Sequence, residues 1–435
     1  MTNTFFRLAY RGLLRNKKRT ALTALAFIIG YVGLLILAGY TYRVNNVLLN
    51  QAIYLNMNGH IRIQKIGAEN YWAAPLKYLI SQDHILAIIK ELQIFDDNIE
   101  FVGEKLKVAS QIVYDDKTYP VFIDGYSLNA EKRARTHPKL QQSLSGFFSY
   151  VPTPLIQTKV NSIGASITPE LSHIMGIVTR DTIAPPAFDA QLVGLDFESN
   201  LNAIDIIVNR RHLTSSAFMR NYSVEMDIES ARRLTNVDGA SEINIFLKSE
   251  VNLNQFLNNT NDLLEKKFPQ QFKAELFSTD EVSPEYTGNM SFLMVMMVFF
   301  LIIIGGSVIL SILNVLTMSI MERKSEIGTL LSLGYSKFQV RKIFIYESFI
   351  LGTFGIFIGY IISLFFASVI NNLEFTFTPP GALGVAFIRI DINILLGFYI
   401  AIIMLLPLLI LSYFATCKQT QKKLVHLLND NEGGS

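Results

Sequence analysis

The sequence predicts a membrane α-helical protein with four transmembrane helices and a large mixed α+β extracytoplasmic domain inserted between helices 1 and 2. Half of the 435 residues are hydrophobic and 17% are charged, which is too apolar for an ordinary soluble chain and too charged for an all-membrane bundle. Four stretches stay apolar over the ~20 residues that a helix rising about 1.5 Å per residue needs to cross about 30 Å of hydrocarbon. About 245 residues separate the first stretch from the second, enough for one or two folded domains.

Residues 1–19 carry Arg7, Arg11 and Arg15 at four-residue spacing, with Phe6, Leu8, Leu13 and Leu14 between them. Two readings fit: a basic amphipathic helix along the inner membrane surface, or an orientation signal. Residues 20–42 form the first span. The run is about twice the length of a signal-peptide core, lacks an A-x-A end, and has Tyr40 rather than cysteine after Leu37-Ala38-Gly39, so it reads as a retained helix. The other spans are 290–320, 343–370 (with Glu347 near its start) and 392–416, where Pro407 predicts a kink. Basic residues cluster before helix 1, at Arg323, Lys324, Lys337, Arg341 and Lys342 between helices 2 and 3, and at Lys418, Lys422 and Lys423 after helix 4. The 371–391 link carries only Glu374, Arg389 and Asp391. The positive-inside rule therefore makes both termini and the 321–342 link cytoplasmic, with 43–289 and 371–391 outside and 417–435 a cytoplasmic tail. Gly433-Gly434-Ser435 reads as an appended linker.

The inserted segment mixes strand and helix signals. Gln111 to Tyr114, a turn at Asp115-Asp116-Lys117, and Thr118 to Asp124 predict a hairpin. Ile204 to Val208 predicts a strand, and Glu242 to Leu247 (EINIFL) alternates as a half-buried strand does. Thr168-Pro169-Glu170 starts a helix that Gly176 stops; Asp227 caps Ile228 to Leu234, and Asn252 caps Leu253 to Lys267. The stretch around Pro185-Pro186 is a loop or a hairpin tip.

Chemistry-bearing patterns are missing. The single cysteine, Cys417, excludes an intrachain disulfide and a cysteine metal cluster. A net charge of +2 argues against nucleic acid as partner. No two of the six histidines stand at ligand spacing. There is no G-x-S-x-G elbow. There is no Walker A loop either, since Gly328 and Gly334 are six apart and the residues after Gly334 are Tyr-Ser-Lys rather than Lys-Ser/Thr. The carboxylates of the inserted domain look scattered, as on a solvated surface. The expectation is a non-catalytic chain with no catalytic residue, metal or cofactor of its own.

The 321–342 link, MERKSEIGTLLSLGYSKFQVRK, is more informative. Ser319-x-x-Glu322 fits a capping box and Gly334 fits a left-handed helix stop. Ile327, Leu330, Leu331 and Leu333 give an apolar face, opposite Glu322, Arg323, Lys324 and Glu326. Ser336-x-x-Gln339 is a second capping box that starts the next helix. Such a helix either lies on the headgroups or docks into a groove of a cytoplasmic partner. Gly305-Gly306 in helix 2 marks a hinge or close packing, and Gly355-x-x-x-Gly359 lets helices approach closely. Glu347 is an intramembrane acid, either a relay of force or protons or the partner of Arg341 or Lys342. Helix 2 is about 45 Å long at the standard rise, and helix 1 extends through Val44 to Asn56, so both can stand out of the membrane as a stalk.

The segment ILNVLTMSIMERKSEIGTLLSLGYSKFQVRKIFIYESFILGTFGIFIGYIISL resembles the permease core of the FtsX/MacB superfamily, the type VII or mechanotransmission ABC transporter subunits. Their pattern N-x-x-x-M-x-x-x-E-R-x-x-E-I-G-x-L-x-x-x-G is matched by Asn314, Met318, Glu322, Arg323, Glu326, Ile327, Gly328, Leu330 and Gly334. The pattern E-x4-G-x2-G-x3-G is matched by Glu347, Gly352, Gly355 and Gly359. LAYRGLLRNKKRTALTALAFIIGYVGLLIL and LNMNGHIRIQK (Leu55 to Lys65) look like the lipoprotein-release permeases LolC and LolE, as do VGLDFESNLNAID and VEMDIESARRL more loosely. Arg180-Asp181 departs from the Gly-Asp of many relatives.

The resemblance implies a homo- or heterodimer of four-helix subunits in a bacterial inner (cytoplasmic) membrane, above a cytoplasmic ABC ATPase dimer that binds ATP and Mg. Met321 to Leu333 is then the coupling helix. Glu322, Arg323 and Glu326 would make its charged contacts and Ile327, Leu330 and Leu331 its apolar ones. A periplasmic cargo acceptor or adaptor is a further implied partner. Three functions follow: extraction of lipoprotein or another amphiphilic cargo, FtsX-like signalling to a cell-wall hydrolase, and MacB-like drug or peptide efflux. The large outer domain favours the first.

Overall fold

In the computed structural model the described residues are 17–145, 163–177, 187–196, 198–212, 214, 218–322, 324–377 and 386–420, with 7, 9–11 and 13 ahead of them. For residues 19, 311–312, 315–316, 319–320, 322, 324–326 and 418–420 the helical backbone alone is described. Arg15, Arg180-Asp181 and Pro185-Pro186 lie outside these residues. The chain divides into two compact units, residues Met1–Arg43, Phe292–Phe375 and Ile388–Ser435, and residues Val44–Ser291 with Thr376–Phe387.

Among the described residues four helices are long and apolar enough to cross a membrane. They are Lys17–Asn50, Pro284–Glu322, Lys337–Leu373 and Ile394–Thr420. Within the first unit, Phe27, Tyr31, Leu34, Leu35 and Ala38 of the first helix form one cluster with Val308 of the second and Ile400, Met404 and Leu408 of the fourth. Most of the second helix is exposed, including Phe292, Val295, Phe299, Ile302 and Ile303. The first helix ends in a fully buried π-helical turn, Gln51–Leu55.

The second unit is built on strands β1 (Ile61–Lys65), β2 (Ile80–Ser81), β3 (Ile99–Tyr114), β4 (Lys117–Tyr126), β5 (Ile163–Ile167), β6 (Phe188–Leu195), β7 (Leu201–Arg211), β8 (Ser223–Asp227), β9 (Gly239–Ala240), β10 (Glu242–Leu247) and β11 (Phe272–Leu276), with a small ribbon of β12 (Thr376–Phe377) and β13 (Ala386–Phe387). The main sheet runs β11-β1-β10-β3-β4-β8-β5-β7-β6, and β6 also pairs with β3. Six strands thus close on themselves. The 16-residue β3 serves both parts: its first half pairs with β10 and its last residues pair with β6. The β3–β4 hairpin turns at Asp115 and Asp116, both at positive φ, as a two-residue type I′ turn requires.

Helix starts in this unit follow local chemistry. The Thr168 hydroxyl accepts from Leu171 N, the Asp227 carboxylate from Ser230 N, and the Asn252 amide oxygen from Gln255 N. Ile61, Ile63, Leu106, Val108, Ile243 and Ile245 share one core with Ile85, Ile88 and Leu92 of the Gln82–Leu92 helix. A second cluster joins Tyr54, Leu55 and Met57 to Phe101, Tyr126, Leu140 and Phe246. EINIFL differs from the half-buried expectation: all six of its residues are buried. Ile243 and Ile245 face the first core, and its polar residues are covered as well.

Candidate functional site

The segment between the second and third long helices is more continuous than its sequence suggests. The second helix runs on through Glu322, so Ser319 lies inside a helix and does not cap one. The S-x-x-E pattern is short, and the apolar run ahead of it holds no breaker, so the helix propagates through it. The next helix is Lys324–Ser332. Arg323 and the side chains of Glu322 and Glu326 lie outside the described residues.

The far end of that helix is sharply defined. Gly334 has φ +89°. Its N–H donates to Leu331 O at 3.2 Å, and Tyr335 N–H donates to Leu330 O at 3.1 Å, the two bonds of a Schellman motif. Ser336 then opens the third helix with a complete capping box: Gln339 N donates to Ser336 Oγ at 3.2 Å and Ser336 N to Gln339 Oε1 at 2.8 Å. Two adjoining caps leave the turn no slack. Ile327 is 1% exposed and packs with Val340 and Phe344, with Leu330, Leu331, Tyr335 and Ala415 around them. Gly328 is buried, and its carbonyl accepts from Ser332 Oγ. After Ile327 the large apolar residues left outside are Leu333, 71% exposed, and Phe338, 57% exposed, and Met321 ahead of it is 49% exposed. Ile327 therefore seats the helix on its own chain and offers nothing to a partner.

The glycines separate into two kinds. A Cβ at Gly355 would lie 2.9 Å from Phe27 Cδ1, and one at Gly359 would lie 2.8 Å from Tyr31 Cδ1. Gly352, one turn earlier, faces Leu405 and Leu408. Phe27 and Tyr31, four apart on one helix face, lie in this glycine stripe. Tyr31 Oη donates to Gly397 O at 2.9 Å. At Gly305 and Gly306 no described atom comes within 4 Å of an added Cβ, so their close-packing reading finds no partner among the described residues of this chain. Gly30, Gly39 and Gly397 are tightly faced by Val308, Ile390 and Tyr360, a set of contacts that isolated glycines do not announce. Glu347 is half-buried and, like Arg341, makes interactions. The Arg341 guanidinium lies over the Tyr413 ring at 5.8 Å.

The inserted domain overturns the expectation of scattered surface carboxylates. Glu131, Glu225 and Glu242 are all buried. Arg135 Nη2 donates to Glu225 Oε1 at 2.6 Å, and Arg210 bridges Glu131 and Glu225 at 3.2 Å each. These residues come from far apart in sequence, and only the topology gathers them. His212 stands between Ser166 Oγ at 3.0 Å and Ser223 Oγ at 2.9 Å. Burial, reinforced by Arg135 and Arg210, holds its pKa well below the usual value. All three residues are buried, so this is a structural network and not an open nucleophile site. On the sheet around β1, Glu242 accepts from Lys107 Nζ at 2.9 Å and lies 3.7 Å from Arg62 Nη1. Burial alone would raise the Glu242 pKa, but Lys107, Lys105 and Arg62 hold it at about 2. Among the described residues no group of histidine, cysteine or carboxylate side chains is arranged to hold a metal ion.

Four long apolar helices, a short helix with a Schellman stop between the second and third, and a large α+β domain inserted after the first define a polytopic membrane protein. Residues 295–416 match the family described as FtsX-like permease C-terminal. The ABC transporter permease YtrF of Bacillus subtilis (strain 168) is 21% identical over 387 residues, 83% of each chain. Two solved structures are also similar. The periplasmic region of MacB from Actinobacillus actinomycetemcomitans covers 52% of this chain and 92% of its own, at TM-score 0.33 and 9% identity. The extracellular domain of the noncanonic ABC-type transporter YknZ from Gram-positive bacteria covers 49% and 99%, at TM-score 0.28 and 8% identity. Residues 295–416 therefore resemble an FtsX-like permease domain, and the chain as a whole is similar to an ABC transporter permease.

Proposed function

We propose that this permease couples ATP hydrolysis in a separate cytoplasmic ABC ATPase dimer to movement of its own extracytoplasmic domain. The movement extracts a lipoprotein or another amphiphilic cargo from the outer face of the membrane and hands it to an acceptor or adaptor outside. The observation that carries this reading is the seated helix Lys324–Ser332, fixed by Ile327 underneath and by the Gly334–Ser336 double cap at its end. A push on its exposed tip reaches Val340 and Phe344 at the start of the third helix through packed side chains rather than through a slack loop. Leu333 and Phe338 supply the apolar anchors that a partner groove would take, and Glu322, Arg323 and Glu326 are the charged contacts expected from the sequence. Continuous helices of 34 and 39 residues are about 51 and about 58 Å long, well over the ~30 Å of hydrocarbon, which suits a stalk. The exposed row of the second helix around Gly305 and Gly306 suits a second permease subunit, identical or homologous.

The test is co-purification with the ATPase encoded beside this chain, comparing wild type with Leu333→Asp, Phe338→Asp and Glu326→Lys. Wild type should retain the ATPase and raise its turnover. Leu333→Asp should lose it by at least about tenfold with unchanged thermal stability, because that side chain is exposed. Equal retention by all variants would make the segment a helix of the lipid surface and remove the main support of this reading.

A further inference from the structure

Strand alternation sorts β1, β3, β10 and β11 into two faces. Ile61, Ile63, Leu106, Val108, Ile243 and Ile245 enter the core, which sends Arg62, Lys107, Glu242 and Glu275 to the opposite face. That charged face is roofed by the 3₁₀ segment Ala68–Ala73. Tyr71 pins the roof by donating its hydroxyl to Lys107 O at 2.7 Å. A cavity of about 220 Å³ remains beneath, lined by residues of the sheet, of the roof and of the segment after β11.

The buried end of the cavity is formed by Arg62 and Glu242, 5% and 2% exposed. Its mouth is formed by Glu69, Trp72 and Glu281, all exposed. The two lining cations, Arg62 and Lys107, are already committed to Glu242 and, for Arg62, to Glu275 at 2.9 Å. Glu281 at the mouth is paired with Lys273 Nζ at 2.9 Å, so the uncompensated charge of the lining rests on Glu69. Glu69 has no ion-pair partner among the described residues, and Trp72 is 47% exposed, braced by Phe122 at 5.2 Å and Tyr71 at 5.4 Å. An unpaired carboxylate beside an open indole is the environment an organic cation prefers. At the buried end, Arg62 Nε is out of solvent and finds no acceptor among the described residues. A buried donor left unsatisfied is costly, so an acceptor arriving there is favoured. A carboxylate or phosphate is opposed by Glu242 and Glu275, whereas a hydroxyl or carbonyl oxygen is not.

We propose that this cavity binds a small organic ammonium that also carries a neutral oxygen acceptor, of the amino-sugar or amino-alcohol class. The ammonium lies between Glu69 and the Trp72 face, and the oxygen accepts from Arg62 Nε. The volume is below that of a site for drug-sized ligands and fits a single small ring. The site belongs to the inserted domain alone and stands whatever the permease moves.

Trp72 is the only tryptophan of the chain, so the emission of the purified full-length protein reads this cavity directly. The probes are glucosamine, N-acetylglucosamine and ethanolamine at neutral pH. Glucosamine should change the emission saturably, and N-acetylglucosamine, which keeps the ring but loses the charge, should need at least about tenfold more. Glu69→Gln should raise half-saturation by glucosamine about 3- to 10-fold, with the ligand-free emission maximum unchanged because Glu69 is exposed; Glu281→Gln should act in the same direction. Half-saturation with ethanolamine equal to that with glucosamine supports the site and assigns recognition to the ammonium; tighter glucosamine supports it and assigns a share to the ring on Trp72. No saturable response to either amine, an equal response to N-acetylglucosamine, or unchanged binding in Glu69→Gln overturns it.

Discussion

Gly359→Ala should destabilise the membrane unit, even though alanine is the better helix former by about 1 kcal/mol. The new methyl would lie 2.8 Å from Tyr31 Cδ1, far inside the ~3.5–4.0 Å optimum for carbon pairs. A free ring would swing aside. Tyr31 is 1% exposed, packs in the cluster of Leu34, Leu35 and Ile400, and is tethered at its far end by the 2.9 Å bond to Gly397 O. Either the helices separate or that bond is lost. Overpacking costs about 1–3 kcal/mol and a lost hydrogen bond about 1 kcal/mol, so the net effect after the propensity gain is about 1–3 kcal/mol of destabilisation. Gly288→Ala adds the same methyl to a helix where no described atom lies within 4 Å, so only the propensity gain remains. The assay is the temperature at which half of the detergent-purified protein leaves the monodisperse peak. Gly359→Ala should lower it, and Gly288→Ala should not. Tyr31→Phe releases the tether, so the double variant Tyr31→Phe/Gly359→Ala should lose less than the sum of the singles. A Gly359→Ala midpoint equal to wild type, or strict additivity, would refute the tethered-ring account.

Two further outcomes concern the inserted domain. The Glu242 carboxyl is held at about 2, below its ordinary 4.5; its contribution is therefore complete above about pH 4.5 and is lost as the pH falls toward 2, about 3 kcal/mol in all. Denaturant titration should show Glu242→Gln less stable than wild type at pH 7 and the two converging by about pH 2; a constant gap between them would contradict the assignment. Glu225→Gln removes one of two carboxylates facing the buried guanidinium groups of Arg135 and Arg210 and should cost about 3–5 kcal/mol, read as a fall in the denaturation midpoint of the domain. An unchanged midpoint would mean that the network carries no weight.

What was legible in the sequence was whatever a few neighbouring residues decide. Gly334 and Ser336-x-x-Gln339 predict a stop and a start, and the structure forms both, because the groups that satisfy each other lie within five residues. The same holds for the Asp227 and Asn252 caps and for the Asp115-Asp116 turn. Ser319-x-x-Glu322 shows the limit: an equally good local pattern is overridden by an unbroken helix on its N-terminal side. The four-residue spacing of Gly355 and Gly359 reads as a close approach and Gly305-Gly306 as a hinge or close packing; Phe27 and Tyr31 meet the first pair and no described atom meets the second. The partner lies more than 300 positions away, and no periodicity within one helix reports it. The charged clusters were illegible for the same reason. Glu131, Arg210 and Glu225, like Arg62, Lys107 and Glu242, become neighbours only once strand register is set.

Register also explains why a domain keeps such charges inside. Buried ion pairs are poor sources of net stability, since apolar replacements of similar volume do as well or better. They are strict about alignment, however. On β5, Ser166 is in register with Arg210 of β7 on one side and Glu225 of β8 on the other. Simple alternation along β7 would place Arg210 on the face of Ile206 and Val208, which are core residues. The register instead shifts between Ala165 and Ser166, so that Val208 opposes the first and Arg210 the second. The extra residue, Asn209, is a β-bulge that re-aims the guanidinium to the polar side. A slip of one residue, or loss of the bulge, would return Arg210 to the hydrophobic face with its charge unpaired, at a cost of several kcal/mol. β5 pairs parallel with β7 and antiparallel with β8, an arrangement that tight hairpin turns cannot fix. In that place the buried guanidinium–carboxylate network excludes the alternative registers that an all-apolar strand set would tolerate.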